Sequence, residues 1–113
     1  MIKLFLALST TLLFYVYPVY SEENSPLGRE IAENICSVCH GVNGQANTGG
    51  NSVLVPHLSS QNVNYIIEKL KDYKSKKLEH RQMSLIADML SIEEKKNVSN
   101  WYSNIKVNVE EID

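Results

Sequence analysis

The chain contains two cysteines, Cys36 and Cys39, and the residue after the second is His40. Side chains three positions apart on a helical turn share a face. Two thiols at that spacing can therefore grip one flat group at two points, and the histidine behind them can turn a ring nitrogen toward a metal at its centre. The stretch Cys36-Ser37-Val38-Cys39-His40 reads C-x-x-C-H, the pattern by which a haem is attached through two thioethers with the imidazole as axial ligand. Other chemistry stays open on the pentapeptide alone. In an exported protein the two cysteines could form a disulfide. A two-residue gap also suits a redox-active dithiol, although that fold alternates strands with helices and this chain shows little strand pattern. Zinc would need Cys36, Cys39 and two of His40, His57 and His80, whose spacing does not match a finger.

The surrounding pattern is helical. Over Gly28 to Val38, Ile31, Ile35 and Val38 recur at spacings of four and three with Glu30, Glu33 and Asn34 turned away, which predicts a helix that ends on the cysteines. Gly41 is a plausible stop, and 41–52, rich in Gly, Asn and Thr, reads as a loop. It has no G-K-[ST], so a phosphate cradle is not expected. Asn62 can cap a second helix running to about Lys76, with Tyr65, Ile66, Leu70 and Tyr73 as its apolar face. A short third helix is predicted over Ser84 to Leu90. Ser91-Ile92-Glu93-Glu94 is a capping box that opens a last helix with Val98, Trp101, Tyr102 and Ile105 as its buried stripe. The tail after Lys106 reads as frayed. The glycosylation acceptor Asn97-Val98-Ser99 falls inside the last helix and carries little weight.

Residues 1–21 are expected to be a secretory leader rather than part of the fold. Lys3 gives a weakly basic start, Leu4 to Tyr20 is almost wholly apolar or small, and Ser21 precedes the polar Glu22-Glu23. Left uncleaved, the same run would be a membrane anchor, at the lower edge of the length a span needs. Residues 22–113 then form one small domain, with Glu22 to Leu27 a polar lead-in. Removing the leader takes one basic residue, Lys3, and no acidic one, so the formal net charge moves from −2 to −3. Nothing in that balance points to nucleic acid. A domain of this size has a marginal core, which a covalently held apolar cofactor would supplement.

Taken in order, these features resemble the class I cytochrome c family, above all its short bacterial periplasmic members. The likeness runs from Gly28 through Cys36-Ser37-Val38-Cys39-His40-Gly41, Asn43-Gly44-Gln45, Pro56-His57-Leu58, Gln61 and Tyr65 to Met83, Leu90-Ser91 and Trp101-Tyr102. It implies an all-α fold: a small cytochrome c-like domain of three to four helices wrapped around one covalently attached haem c. It also implies that the Pro56 carbonyl accepts the second N–H of His40, and that Gly28 lets the first helix cross closely against Trp101 or Tyr102.

The resemblance makes Cys36 and Cys39 the thioether anchors and His40 and Met83 the axial ligands of the haem iron. Met83 follows the polar His80-Arg81-Gln82 and precedes the short helix, as the family's ligand methionine does. Met89, beside Leu90 on what reads as a packing face, is the rival; His57 and His80 are further candidates, or could approach a propionate. Many relatives place a proline near the ligand methionine, whereas none lies after Pro56 here, which predicts a less rigid, partly displaceable Met83. The function implied is that of a soluble, monomeric, periplasmic carrier of single electrons. Its partners would be redox proteins such as a membrane oxidase, reductase or dehydrogenase, with no small-molecule substrate. The alternatives are an electron-transfer subunit of a larger oxidoreductase complex, or a haem peroxidase or sensor with a labile sixth ligand. Lys69, Lys71, Lys74, Lys76 and Lys77 could steer an acidic partner; the plainer reading is a solvated helix face with Glu68 and Asp72 as counter-charges.

Overall fold

The computed structural model describes residues 26–46 and 54–108. The expected leader, most of the lead-in, the second half of the 41–52 loop and the last five residues of the tail lie outside these described residues.

The described residues hold helices and connecting loops with no strand, so the all-α expectation holds and the strand-and-helix fold of a dithiol oxidoreductase is excluded. One helical rod begins with α1 (Pro26–Ile31), widens into a π-helical turn (Ala32–Cys36) and closes with α2 (Ser37–His40). It starts at Pro26, where a proline costs no hydrogen bond, two residues earlier than its apolar stripe predicted. It stops at Gly41, whose φ of 74° is a backbone conformation that side chains disfavour.

The second helix, α3 (Val63–Lys74), opens as expected on Asn62, whose side chain accepts the Tyr65 N–H at 3.1 Å. It ends two residues short of the predicted Lys76 because Lys76 itself turns left-handed, at φ 62°, and its N–H bonds back to the Tyr73 carbonyl at 3.1 Å. Ile66 and Leu70 are buried, whereas Tyr65 is half out of the apolar face and lies under the Lys69 ammonium, 5.5 Å from the ring centre.

The third helix, α4 (Arg81–Met89), begins three residues earlier than predicted. The residue before it, His80, caps it: the imidazole Nδ1 accepts the Met83 N–H at 3.2 Å. Met83 therefore sits in the first turn of the helix rather than ahead of it. The last helix, α5 (Ile92–Ser103), carries the predicted capping box in both directions, with Glu94 N–H to Ser91 Oγ at 3.1 Å and Ser91 N–H to Glu94 Oε2 at 2.8 Å.

The rod packs on α5, and α3 packs on both α4 and α5. Their shared core is Ile31, Ala32, Ile66, Leu70, Ala87, Leu90, Val98 and Tyr102. At the rod–α5 crossing a Cβ on Gly28 would collide with the Asn97 carbonyl oxygen and stand 2.8 Å from its carbon and 3.2 Å from Trp101 Cβ. The expected close approach is thus made to the backbone of Asn97 as well as to Trp101. At the α4–α5 corner the buried ammonium of Lys95 donates to the Leu90 carbonyl, satisfying a helix-end acceptor. Asn97 and Ser99 are buried as well, which closes the glycosylation sequence to modification.

Candidate functional site

The π turn decides which way the cysteine segment faces. Its closing bond runs from the Ser37 N–H to the Ala32 carbonyl, five residues back, so the turn holds one residue more than an α-turn. The phase of everything after it shifts by that residue. Ile31, Ile35 and Val38 were expected on one face; Ile31 is buried, Ile35 half-buried, and Val38 is 80% exposed. The inward positions are instead Cys36, packed against the core, and His40, only 8% exposed. These lie four residues apart, one turn over the other. Cys39 stands at the exposed rim.

The buried imidazole of His40 has one hydrogen-bond partner of fixed polarity. Its Nδ1 lies 2.9 Å from the Pro56 carbonyl oxygen. A carbonyl only accepts, so Nδ1 carries the hydrogen and Nε2 keeps its lone pair. Burial depresses the His40 pKa below its ordinary 6.5, the Pro56 bond opposes that shift, and the charge of His80 adds to it. The result is a neutral ring, oriented by a carbonyl and able to donate from Nε2 to a metal.

Tyr102 of α5 is buried beneath this segment. Its hydroxyl donates to the Gly41 carbonyl at 3.1 Å and also lies within bonding reach of the Cys36 thiol. Burial pushes the Cys36 thiol up to about 11, with the Tyr102 contact opposing, and it pushes the Tyr102 phenol well above its ordinary 10. A redox-active dithiol needs a thiol that ionises readily; the inner cysteine here does the reverse. The cysteines are not joined in a disulfide. Zinc also lacks a geometry, since among the described residues no three His, Cys, Asp or Glu side chains gather as ligands.

Met83 lies half-buried against the core on the stripe Met83, Ile86, Ala87, Leu90, at spacings of three, four and seven. Met89 is on the opposite side with Leu85 and is 69% exposed, not on a packing face as its neighbour Leu90 suggested. The two methionines are thus separated by helix phase: one thioether points inward and the other into solvent. His57 serves the loop, its Nδ1 accepting the Ala46 N–H at 3.0 Å. His80 stands nearer, capping α4 while its ring meets Tyr73 edge-on at 6.0 Å. A cleft of about 440 Å³ opens there, lined by His80, Arg81, Gln82 and Leu85.

Three lysines of α3 and one in the turn after it carry counter-charges of their own. Lys69 and Lys77 reach Asp72 at 3.5 and 3.2 Å, Lys71 reaches Glu68 at 2.8 Å, and Lys74 reaches Asp88 at 3.7 Å. This is the solvated face of the plainer reading.

Three partners of the site were not read from the sequence: the His80 cap, the Tyr102 hydroxyl on Gly41, and the Trp101 indole N–H on the Val42 carbonyl at 3.2 Å. Histidine is not among the usual N-cap residues, so nothing in the sequence signalled a cap at His80; the aromatic pair read simply as core.

Two cysteines on one helical segment, an imidazole held through Nδ1 by a carbonyl and a half-buried thioether are the donor types a covalently attached haem requires. The sequence model of the cytochrome c family, described as "Cytochrome c", matches residues 25–111. No curated protein matched the chain.

Proposed function

The chain belongs to the cytochrome c family, and we propose that it is a soluble, monomeric electron carrier of the periplasm, with Cys36 and Cys39 as thioether anchors and His40 and Met83 as axial ligands. The family's cofactor is one covalently attached haem c, whose iron takes up and gives back a single electron. Family membership supports the reading of an electron carrier that passes electrons to redox proteins. The rest of the proposal is about how this chain holds the cofactor, where it works and with whom.

The observation that carries the ligand assignment is the bond from His40 Nδ1 to the Pro56 carbonyl. It fixes the tautomer, holds the ring plane and leaves Nε2 available, which is what an axial histidine needs. The π turn sets Cys36 directly over His40, and Tyr102 holds the backbone just after them. Met83 brings the polarisable sulfur that favours the reduced iron and raises the potential. Two fixed ligands leave little to rearrange when the charge on the iron changes.

A periplasmic address rests on the leader-like residues 1–21. No helix among the described residues is long and apolar enough to cross a membrane. The partners would be a membrane oxidase, reductase or dehydrogenase, met transiently.

The test is the optical spectrum of the exported protein in both oxidation states, with a pyridine haemochrome and the near-infrared methionine–iron band. The expected result is a covalent haemochrome together with that band. A haemochrome without the band would take Met83 off the iron. No haem after export with a working maturation system would overturn the proposal.

A further inference from the structure

We propose that His80 is the positioning residue for Met83: by capping α4 through its imidazole, it holds the thioether in place and supplies the rigidity that a nearby proline would otherwise give. The inference rests on Met83 being the sixth ligand.

Met83 is the third residue of α4. An N–H at that position has no carbonyl within the helix to receive it, and here it goes to His80 Nδ1 at 3.2 Å. His80 has the extended backbone of a helix cap, φ −156° and ψ 103°. Its carbonyl begins the helix as well, accepting the Ser84 N–H at 2.8 Å. The ring is itself braced by Tyr73 of α3, edge-on at 6.0 Å. The chain from α3 to the methionine backbone is therefore Tyr73, His80, Met83, with no proline in it.

The energetic consequence follows from a two-state view. With the cap made, Met83 is seated; when a competing ligand displaces it, the first turn can fray and the cap is lost. Removing the imidazole weakens only the seated state, so the population open to a competitor rises by the full effect. Loss of an N-cap corresponds to about fivefold in that equilibrium, roughly 1 kcal/mol at 1.4 kcal/mol per decade. Asparagine is among the strongest caps and should restore it.

The experiment uses exported ferric holoprotein: wild type, His80→Ala, His80→Asn and Met83→Ala, each titrated with imidazole and recorded in the near infrared. His80→Ala should bind imidazole about fivefold more tightly and show a diminished methionine–iron band, while His80→Asn stays within about twofold of wild type. A purely structural role would lower the melting temperature of His80→Ala without moving the imidazole affinity, and that result overturns the proposal. So does a His80→Asn protein that behaves like His80→Ala. A wild-type protein without the band, or a band that survives Met83→Ala, overturns the Met83 assignment and this inference with it. A wild-type band lost in Met83→Ala and untouched in His80→Ala overturns this inference alone. The wild type supplies a check that needs no variant: the Met83 amide should be protected from hydrogen exchange, and a freely exchanging amide overturns the proposal.

Discussion

Replacing Gly28 by alanine tests the packing on which the site depends, because two effects of known sign oppose each other there. Alanine is the better helix former, by up to ~1 kcal/mol in a helix interior, so a substitution judged by propensity alone should stabilise the protein. The structure says otherwise. The added methyl would collide with the Asn97 carbonyl oxygen, with its carbon only 2.8 Å away and Trp101 Cβ at 3.2 Å. The first two are backbone atoms in the middle of α5, which no rotamer change can move, so the rod and α5 must separate. Overpacking of that kind costs about 1–3 kcal/mol, and a rigid obstacle belongs at the upper end. With the propensity gain subtracted, the net loss is about 2 kcal/mol. For a domain of this size that lowers the melting temperature by roughly 8–16 °C. The assay is thermal unfolding of the holoprotein followed by far-ultraviolet circular dichroism. Glu30→Ala, an exposed change in the same rod, is the control and should stay within about 0.5 kcal/mol of wild type. A Gly28→Ala protein that melts at or above the wild-type temperature would refute the reasoning, because propensity would then have outweighed the contact.

Two further outcomes follow from single hydrogen bonds. Tyr102→Phe removes one of two donors to the Gly41 carbonyl, leaving the Gly44 N–H at 3.1 Å, and should cost about 1 kcal/mol in urea unfolding; an unchanged midpoint would mean the hydroxyl does not hold the segment after His40. Within the capping box, the Ser91 N–H and hydroxyl keep the Glu94 carboxyl below its ordinary 4.5. The folded state then binds that proton more weakly than the unfolded state, so its contribution is complete above pH 4.5 and is lost as the pH falls through the lower folded value. Glu94→Gln keeps an acceptor for the Ser91 N–H without the titration, so its stability should fall less steeply than that of wild type below pH 4.5. Parallel acid limbs in melting curves taken from pH 6 to pH 3 would refute this.

What could be read from the sequence was whatever depends on neighbours along the chain. The Asn62 cap, the Ser91–Glu94 box and the Gly41 stop are local devices, and all three are present. The errors share a different cause. Val38 was placed inward because the pattern was read at 3.6 residues per turn, but the π turn adds a residue between Ile31 and Cys36. What rewards that wide turn is non-local: it lets Cys36 meet Tyr102 and His40 meet Pro56, residues 66 and 16 positions away. Met89 was misplaced because it was judged by its neighbour Leu90. Counted at helical spacing from Leu90, the inward positions are Ala87, Ile86 and Met83, and Met89 falls outside. The start of α4 was missed because a histidine was weighed as a ligand or a solvated side chain and not as a cap.

α5 contributes none of the candidate ligands yet makes several of the bonds that place them. From the last turns of α5, Trp101 holds the Val42 carbonyl and Tyr102 holds the Gly41 carbonyl, the two peptide units directly after His40. From the end of the same helix, the Tyr102 carbonyl takes the Ser60 N–H at 3.0 Å and the Ile105 carbonyl takes the Ser60 hydroxyl. Those bonds anchor the segment that carries Pro56. The Gly44 carbonyl ties the two loops to each other by accepting the Leu58 N–H at 2.7 Å. His40, the last residue of the rod, and the carbonyl that orients it thus belong to segments separated in sequence and joined through α5. A substitution there, or at Gly28 where the rod crosses it, moves the imidazole and its acceptor relative to each other. Since the tautomer and the plane of the ring depend on that one 2.9 Å bond, loosened α5 packing should alter the field of the proposed axial histidine before it unfolds the domain. Stability and electronic tuning are therefore coupled through this helix, and a packing change at Gly28 should register in the optical spectrum as well as in the melting temperature.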